Sequence, residues 1–176
     1  MSFFKDDISG VKAFLFDVDG VLSTDVSPLD ETGDPLRTAN VKDGFAIRLA
    51  LAEGFEIGII TGGTQKRVKM RYHKLGVRHY YDNIRDKCTS LEEFIFSTGI
   101  DASLILYMGD DLPDYPVLMR VGIPTCPADA VPEIKGIARY ISDRKGGMGC
   151  VRDVIEQVMR SQDKWPSPED CLTQAL

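Results

Sequence analysis

The chain alternates short, continuous apolar runs with longer segments in which apolar residues recur at helical spacing. Short continuous runs are typical of parallel strands that are buried on both faces, and the longer segments are typical of amphipathic helices. Strands that alternate with helices predict βα units on a parallel sheet. The predicted strands are residues 11–16, 55–60, 79–81, 104–108, 123–126 and 140–142, and the predicted helices are residues 42–53, 64–75, 87–97, 113–121 and 148–160.

Two further segments stand outside this alternation. Residues 23–38 contain two prolines and a glycine, and their apolar ends flank a turn at residues 31–34. This pattern predicts a small β-hairpin insertion that projects from the sheet after the first strand. Residues 161–176 are polar and predict a C-terminal tail. The sequence therefore predicts one domain over residues 1–160, built on a doubly wound parallel α/β sheet.

Length and charge narrow the classes of function. A chain of 176 residues suits one domain with a sizeable core. Its formal net charge is −6, so it lacks the basic surface that binding to a nucleic-acid backbone requires. A small anionic substrate remains possible where a divalent cation supplies positive charge. We therefore expect no nucleic-acid partner.

Cysteine usage and the lack of targeting signals predict a cytoplasmic location. The scattered cysteines, without a Cys-x-x-Cys pair, predict free thiols rather than a zinc site; they are Cys88, Cys126, Cys150 and Cys171. Residues 1–7 lack a basic segment followed by an apolar run, so no secretory signal is predicted. No apolar stretch approaches the ~20 residues that span a bilayer, so we expect no membrane partner.

Acidic residues follow two of the predicted buried strands. Asp17 and Asp19 come directly after residues 11–16, and a second group, Asp110, Asp111 and Asp114, follows residues 104–108. Ligands bind beyond the carboxyl ends of strands in doubly wound sheets, so these carboxylates share one rim if the two strands are neighbours. Grouped carboxylates repel one another, and a hard divalent cation such as Mg²⁺ removes that cost. The pattern predicts a catalytic magnesium site.

The spacing of Asp17 and Asp19 indicates the reaction. Two residues apart on an extended segment, both side chains point the same way. One carboxylate can attack phosphorus and form an acyl phosphate, while the other protonates the leaving oxygen and later activates water. Asp-x-Asp-Gly is also a common turn signature and part of a calcium loop, but residues 22–29 lack the further ligands of such a loop. The second acidic group favours the catalytic interpretation.

Two more features fit phosphoryl transfer. Thr61 ends a predicted strand and precedes Gly62 and Gly63, whose N–H groups are expected at a helix N-terminus, an arrangement that binds anions. Lys87 begins a helix, where a cation gains nothing from the helix dipole, and is expected to offset the charge of nucleophile and phosphate. Taken singly, Thr61 could equally cap a helix, and Lys87 could be a solvated surface lysine.

Taken together, these residues resemble the four motifs of the haloacid dehalogenase superfamily. The motifs are carried by Asp17-Val18-Asp19-Gly20, Thr61, Lys87 and Gly109-Asp110-Asp111-x-x-Asp114. The resemblance implies a Rossmann-like core in which Asp17 is the nucleophile and Asp19 is the general acid/base. It also implies that Thr61 and Lys87 hold the phosphoryl group.

The same resemblance implies the cofactor and its ligands. Mg²⁺ would bind the Asp17 carboxylate, the backbone carbonyl of Asp19 and the Asp110 carboxylate. Asp111 and Asp114 would support these ligands without binding the ion directly.

The rest of the chain resembles one branch of the superfamily, the small capless phosphatases of 3-deoxy-D-manno-octulosonate 8-phosphate (KDO 8-phosphate). The similar segments are residues 40–44 with Arg48, the helix with Arg71, residues 109–116 and residues 145–152. In this family the first segment and the two arginines contact the substrate, a small phosphorylated sugar acid. The resemblance also implies a homotetramer that the insertion holds together. Neighbouring subunits close each site, and a C-terminal tail can enter a neighbour's site.

One position departs from the family pattern. The family usually carries an arginine after Thr-Gly, and this chain has Gly63. Residues 63, 67 and 71 share one helical face, so we expect Arg67 to reach the empty space and to bind the substrate carboxylate with Arg71. A solvated basic helix face is the alternative. The predicted substrate-binding residues are Asp19, Asn40, Val41, Lys42, Asp43, Gly44, Arg48, Gly62, Arg67, Arg71 and Lys87.

The predicted reaction is hydrolysis of KDO 8-phosphate through an aspartyl-phosphate. A related branch acts on nine-carbon keto-acid sugars (KDN 9-phosphate or N-acylneuraminate 9-phosphate), and Gly63 leaves that alternative open. A phosphomutase or phosphonatase needs a larger cap than the roughly 20 residues between Asp19 and the next core helix provide. A non-catalytic scaffold would lack a nucleophile or metal ligand. An oligomer that closes its sites over a small sugar would exclude a phosphoprotein.

Overall fold

The computed structural model describes residues 8–170 and has a six-stranded parallel sheet at its centre. The strands are β1 Ala13–Phe16, β2 Glu56–Ile60, β3 His79–Tyr81, β4 Ile105–Met108, β5 Ile123–Cys126 and β6 Tyr140–Ile141. Their order across the sheet is β3-β2-β1-β4-β5-β6, and each neighbouring pair is parallel. The strand order changes direction at β1, as it does in doubly wound sheets. The predicted fold class is therefore confirmed.

Helices connect and cover these strands. Within residues 8–170 the α-helices are α1 Val41–Ala52, α2 Lys66–Leu75, α3 Lys87–Thr98, α4 Tyr115–Leu118, α5 Pro132–Ile137 and α6 Cys150–Ser161. The ends differ from the predicted ones by one or two residues, except in the segment 113–121. There a 3₁₀ turn, Leu112–Asp114, precedes the short α4, because Pro113 and Pro116 have no backbone N–H to donate. The sequence analysis did not predict α5.

β1 and β4 lie side by side, which is the arrangement that the predicted metal site at the acidic residues requires. Phe16 is opposite Met108 in the parallel register, and the Asp17 N–H donates to the Met108 carbonyl at 3.1 Å. Every residue of both strands is buried, since helices cover both faces of the sheet. The acids that follow the two strands consequently leave the sheet at the same rim.

Alternate residues of the strands face two separate hydrophobic layers. Phe14 and Phe16 face the layer to which α1, α2 and α6 contribute, whereas Ala13 and Leu15 face the layer of α3, α4 and α5. The alternation follows from the two-residue period of a strand. Both layers are needed to bury a strand whose residues are apolar on both sides.

The insertion between β1 and α1 is a loop with a single antiparallel bridge, between Leu29 and Pro35. The Asp30 carboxylate closes its turn by accepting the Thr32 N–H at 2.8 Å. The predicted hairpin is therefore present as one bridge rather than a ladder, because Pro28 and Pro35 cannot donate to further pairs. This connection forms no separate cap domain.

The first part of the predicted tail, residues 161–170, follows α6. Trp165 packs against the core, and the guanidinium groups of Arg152 and Arg160 lie 5.2 and 5.8 Å from its ring centre. These cation–π contacts attach the segment to α6. The rest of the tail, residues 171–176, lies outside the described residues.

Three of the cysteines lie within the described residues. Cys88, Cys126 and Cys150 are buried and free, as predicted, and Cys171 lies outside the part of the chain that the structure describes. No helix between residues 8 and 170 is long and apolar enough to cross a membrane.

The loop before α6 packs against the turn that follows Asp19. A Cβ on Gly146 would lie 2.5 Å from the carbonyl carbon of Gly20, so the backbone would have to move. We predict that Gly146→Ala lowers the free energy of unfolding by about 1–3 kcal/mol, as overpacking does. The matched control is Gly136→Ala in α5, where no atom lies within 4 Å of the added methyl group. Urea unfolding measures both variants, and equal stabilities would contradict the predicted contact.

Candidate active site

Asp17 and Lys87 form a buried ion pair at the end of β1. Asp17 directly follows the strand, and Lys87 is the first residue of α3. The Lys87 Nζ lies 2.9 Å from Asp17 Oδ1 and 2.6 Å from Asp114 Oδ1, and the lysine side chain is only 6% exposed. Two predicted catalytic residues are thus in contact, and Lys87 is not a solvated surface lysine.

Asp114 is held on both of its carboxylate oxygens. Its Oδ1 accepts hydrogen bonds from Lys87 and, at 2.5 Å, from the Tyr107 hydroxyl. Its Oδ2 accepts the Asp110 N–H at 3.1 Å. Tyr107 had no predicted role. The contact forms because the 3₁₀ turn after β4 brings Asp114 to the Tyr107 hydroxyl.

Asp17, Asp110 and Asp114 form a group that can hold a metal ion. Their nearest carboxylate oxygens all lie within 4.8 Å of one another. Burial and then Asp114 raise the pKa of Asp17 to about 7, and burial and then Asp17 raise the pKa of Asp110 to about 8. Burial lowers the pKa of Lys87, but the neighbouring carboxylates outweigh it and the net shift is upward. The group carries more negative charge than Lys87 neutralises, and a divalent cation would stabilise it.

The existing hydrogen bonds distinguish direct ligands from supporting residues. Asp114 already has three donors on its two oxygens, which fits the supporting role that the resemblance implies. Asp17 and Asp110 keep lone pairs for a metal ion. Asp111 is exposed and accepts the N–H of the next residue at 2.7 Å, so it lies at the outer rim and starts the 3₁₀ turn. The Asp19 carbonyl stays a predicted ligand.

Thr61 is buried at the end of β2, but its surroundings differ from the predicted helix N-terminus. Its Oγ1 accepts the Gly63 N–H at 3.1 Å, which forms a local turn. α2 begins only at Lys66, so both glycines precede the helix. The Gln65 side chain donates to the Pro35 carbonyl and holds this segment beside the insertion. The predicted anion-binding amides therefore belong to a turn and not to a helix end.

Asp19 is paired with Arg37, a residue that the sequence analysis missed. Arg37 Nε donates to Asp19 Oδ1 at 2.7 Å and Nη2 donates to Oδ2 at 2.8 Å, so the guanidinium binds both oxygens. The hydrogen bonds to Asp19 raise the pKa of Arg37. No sequence pattern indicated this pair, because the two residues are 18 positions apart and meet only through the path of the insertion.

The start of α1 lines a surface cleft of about 870 Å³. Three of the predicted substrate-binding residues, Asn40, Val41 and Lys42, line it together with Arg144 and Arg152. Asn40 also caps α1 by accepting the Lys42 N–H at 2.9 Å. Asp17, Asp110 and Asp114 do not line this cleft. The contact of these residues with substrate stays a prediction.

Asp43 and Gly44 are buried, and Asp43 serves a neighbouring helix. Its Oδ1 accepts the Arg152 N–H at 2.8 Å in the first turn of α6, which caps that helix. Its Oδ2 is buried without a partner among the described residues. Burial raises the pKa of Asp43 to about 6, and Arg152 opposes the shift. Arg48, by contrast, is exposed on α1.

Arg67 and Arg71 line a groove of about 240 Å³ next to the insertion. The Arg71 Nη2 lies 2.9 Å from the point where a Cβ on Gly44 would be, so Arg71 reaches the start of α1. The space beside Gly63 is filled by the Arg37 guanidinium and is not open to Arg67. The structure thus differs from the expectation for Arg67, because the insertion delivers a different arginine to this place.

Comparison with known proteins first indicates the superfamily that the chain resembles. No family model matches the chain. Among solved structures, a hydrolase from Legionella pneumophila assigned to subfamily III A of the haloacid dehalogenase superfamily has a TM-score of 0.88 and 32% identity. The match covers 96% of this chain and 91% of that chain. The acids after β1 and β4 carry two of the four superfamily motifs, and Thr61 after β2 and Lys87 at the start of α3 carry the other two.

Two further matches indicate one family within the superfamily. KDO 8-phosphate phosphatase (KdsC) from Yersinia pestis is 34% identical over 156 residues, which are 89% of this chain and 83% of that protein. The crystal structure of KDO 8-phosphate phosphatase from Moraxella catarrhalis, in complex with magnesium, phosphate and KDO, has a TM-score of 0.85 and 30% identity. It covers 90% of this chain and 91% of that chain. The chain belongs to the KDO 8-phosphate phosphatase family of the haloacid dehalogenase superfamily.

The raised pKa values predict how stability depends on pH and on Mg²⁺. Asp17 and Asp110 hold protons in the folded state that the unfolded chain releases near an ordinary pKa of about 4. Ionisation therefore costs more in the folded state, and the metal-free protein loses stability as the pH rises from about 4 to about 8. We predict a melting temperature in EDTA that falls over this range, and a larger gain from Mg²⁺ at the upper end.

The variant Asp110→Asn isolates this effect from other titrating groups. It removes one of the carboxyls with a raised pKa, so both the fall in EDTA and the gain from Mg²⁺ should become smaller. Asp143→Asn, which changes an exposed carboxyl, is the control. Differential scanning fluorimetry across the pH range measures the slopes. An unchanged slope for Asp110→Asn would contradict the charge balance described above.

Proposed function

We propose that this chain is a magnesium-dependent phosphomonoesterase that hydrolyses KDO 8-phosphate to KDO and phosphate. The observation that carries the proposal is the group formed by buried Asp17, Asp114 and Lys87 with half-buried Asp110, at the adjacent ends of β1 and β4. The relative from Moraxella catarrhalis binds magnesium, phosphate and KDO, and the Yersinia pestis relative carries the same substrate in its name.

Mg²⁺ would be held by the carboxylates of Asp17 and Asp110 and by the Asp19 carbonyl, with Asp111 and Asp114 in support. Hard oxygen donors of this kind are the ones that Mg²⁺ prefers. Burial first, and then the neighbouring carboxylates, raise the pKa values of Asp17 and Asp110, and a cation would stabilise their charged forms. When bound, the ion would also neutralise the repulsion between these carboxylates and the phosphoryl oxygens.

In the first step, Asp17 would attack phosphorus and form an aspartyl-phosphate while the bond to the sugar oxygen breaks. Lys87 holds Asp17 at 2.9 Å and places a positive charge beside the phosphoryl group. Thr61 and the turn after it would bind phosphoryl oxygens. Asp19 would give its proton to the departing sugar oxygen.

In the second step, a water molecule would attack the aspartyl-phosphate. Asp19, now a carboxylate, would take a proton from this water, and the bond between phosphorus and Asp17 would break. Phosphate and the free Asp17 carboxylate result. The enzyme then returns to its first state, with Asp19 protonated.

The sugar acid would lie outside the acidic group, among the residues that the family resemblance implies. Arg71 lines the groove beside the insertion, and Asn40 and Lys42 line the cleft at the start of α1. Arg71 and Lys42 are cationic, and cationic side chains bind a substrate carboxylate. A nine-carbon sugar acid is the second candidate substrate, because Gly63 lacks the side chain that the eight-carbon branch usually has there.

We also propose a cytoplasmic homotetramer in which neighbouring subunits close the active sites. The insertion exposes three apolar side chains, Val26, Leu29 and Leu36, at 83%, 65% and 41% exposure. A second copy of the chain would cover such a surface. The division into one domain over residues 1–160 and a tail over residues 161–176 belongs to the same proposal.

Phosphate release from KDO 8-phosphate is expected to require both Mg²⁺ and Asp17. EDTA should abolish it, and Asp17→Asn should lower kcat by on the order of 10⁴-fold or more, because the nucleophile is lost. Asp143→Asn, at an exposed carboxyl, should retain activity. Release that survives EDTA or Asp17→Asn would refute the proposal. Release only from KDN 9-phosphate or N-acylneuraminate 9-phosphate would reassign the substrate.

The aspartyl-phosphate predicts the stereochemical course at phosphorus. Each in-line displacement inverts the configuration, so two displacements give net retention. We expect a substrate with an isotopically chiral phosphoryl group, hydrolysed in labelled water, to give phosphate of retained configuration. Net inversion, read by phosphorus NMR, would mean direct attack by water and would exclude the intermediate.

A further inference from the structure

A guanidinium from the insertion holds the Asp19 carboxylate. The two hydrogen bonds from Arg37, at 2.7 and 2.8 Å, engage one oxygen each. The Arg37 side chain is 10% exposed and that of Asp19 is 45% exposed, so the arginine lies behind the acid and the acid faces the open side. A bidentate pair of this kind fixes the orientation of the carboxylate plane.

The insertion presents Arg37 from a backbone that is hydrogen-bonded on both sides. Leu36 donates its N–H to the Pro28 carbonyl at 2.8 Å, and Thr38 donates its N–H to Ser23 Oγ at 2.9 Å. The insertion therefore determines where the Arg37 guanidinium lies. Asp19 is oriented by a segment that is not part of the sheet.

Gly63 has no side chain, and the Arg37 guanidinium occupies the space beside it. The three atoms nearest to a Cβ placed on Gly63 all belong to Arg37, with Cζ at 2.8 Å. Gly63 does not have a positive φ, so its backbone would accept a side chain. Arg37 is the group that a side chain here would meet, and its guanidinium would have to move. Even a methyl group at position 63 would displace the guanidinium from Asp19.

We propose that Arg37 positions Asp19 toward the leaving oxygen of the substrate, and that Gly63 permits this by lacking a side chain. The inference rests on the proposed function, which makes Asp19 the general acid/base. A carboxylate has about four lone-pair sites and Arg37 uses two of them, so each oxygen can still carry a proton. Arg37 is thus a positioning residue that does not itself touch the reacting atoms.

Phosphate esters with different leaving groups distinguish the positioning of Asp19 from other roles of Arg37. Phenolate leaves less readily than p-nitrophenolate and depends more on a proton from Asp19. Neither phenyl phosphate nor p-nitrophenyl phosphate carries a carboxylate, so neither reports recognition of a sugar acid. The parameter kcat/KM covers the steps up to departure of the leaving group and excludes the later hydrolysis of the phosphoenzyme.

We expect Arg37→Ala to lose about 10- to 100-fold in kcat/KM on phenyl phosphate and on KDO 8-phosphate, and at most about threefold on p-nitrophenyl phosphate. Gly63→Ala should show the same selective loss while Arg37 is present and no further loss in Arg37→Ala. Arg120→Ala, which removes a surface arginine paired with Glu92, is the control and should leave the ratio between the two aryl phosphates unchanged. Thermal melts establish that each variant is folded.

Equal losses on both aryl phosphates, or no loss, would overturn the inference. Loss confined to KDO 8-phosphate would overturn it as well and would make Arg37 a residue that binds the sugar acid. A further loss from Gly63→Ala in the Arg37→Ala background would disprove the role of Gly63. If the unmodified enzyme hydrolyses the aryl phosphates but not KDO 8-phosphate, the substrate assignment falls while the aryl comparison still tests Arg37. No phosphatase activity at all would end both proposals.

Discussion

Repulsion among the carboxylates that follow β1 and β4 is the constraint on which the rest of the structure depends. Parallel pairing brings Asp17 and Asp110 to one rim, and the turn after β4 adds Asp114. A buried lysine is costly unless it is paired, and Lys87 is buried here because two carboxylates surround it. The hydroxyl of Tyr107 gives Asp114 one more donor. Each of these groups would be unfavourable alone, and together they leave a net negative site that favours a divalent cation.

Positive charge reaches this rim from two directions. Lys87 is the first residue of α3, and the buried apolar residues of α3 pack on one face of the sheet. Arg37 comes from the insertion and acts on Asp19, the more exposed of the two acids after β1. In the proposed mechanism the rigid part of the fold thus places the nucleophile Asp17, and a loop orients its partner acid Asp19. This division is common in enzymes, where a scaffold fixes one group and connecting segments supply the others.

The sequence predicted those features that depend on local pattern, and it missed those that depend on the path of loops. The apolar runs predicted both strands and the acids after them, and the sequence prediction of a shared metal site depended on β1 and β4 being neighbours, as they are. The pair Arg37–Asp19 joins residues 18 positions apart, and the bond from Arg152 to Asp43 spans 109 positions. Neither contact has a periodic signal. The start of α2 was placed too early because Gln65 has an extended backbone and precedes the helix as its N-cap.

The capping of α6 by Asp43 links the C-terminal segment to the neighbouring helix α1 on the same face of the sheet. Trp165 stacks on Arg152, Arg152 gives its N–H to Asp43, and Asp43 lies in the first turn of α1, whose first residues line the large cleft. A fusion partner or purification tag that draws Trp165 away would therefore disturb the start of α1 and the large cleft through a path of only two contacts. Kinetic work on recombinant protein is best done after any C-terminal tag has been cleaved.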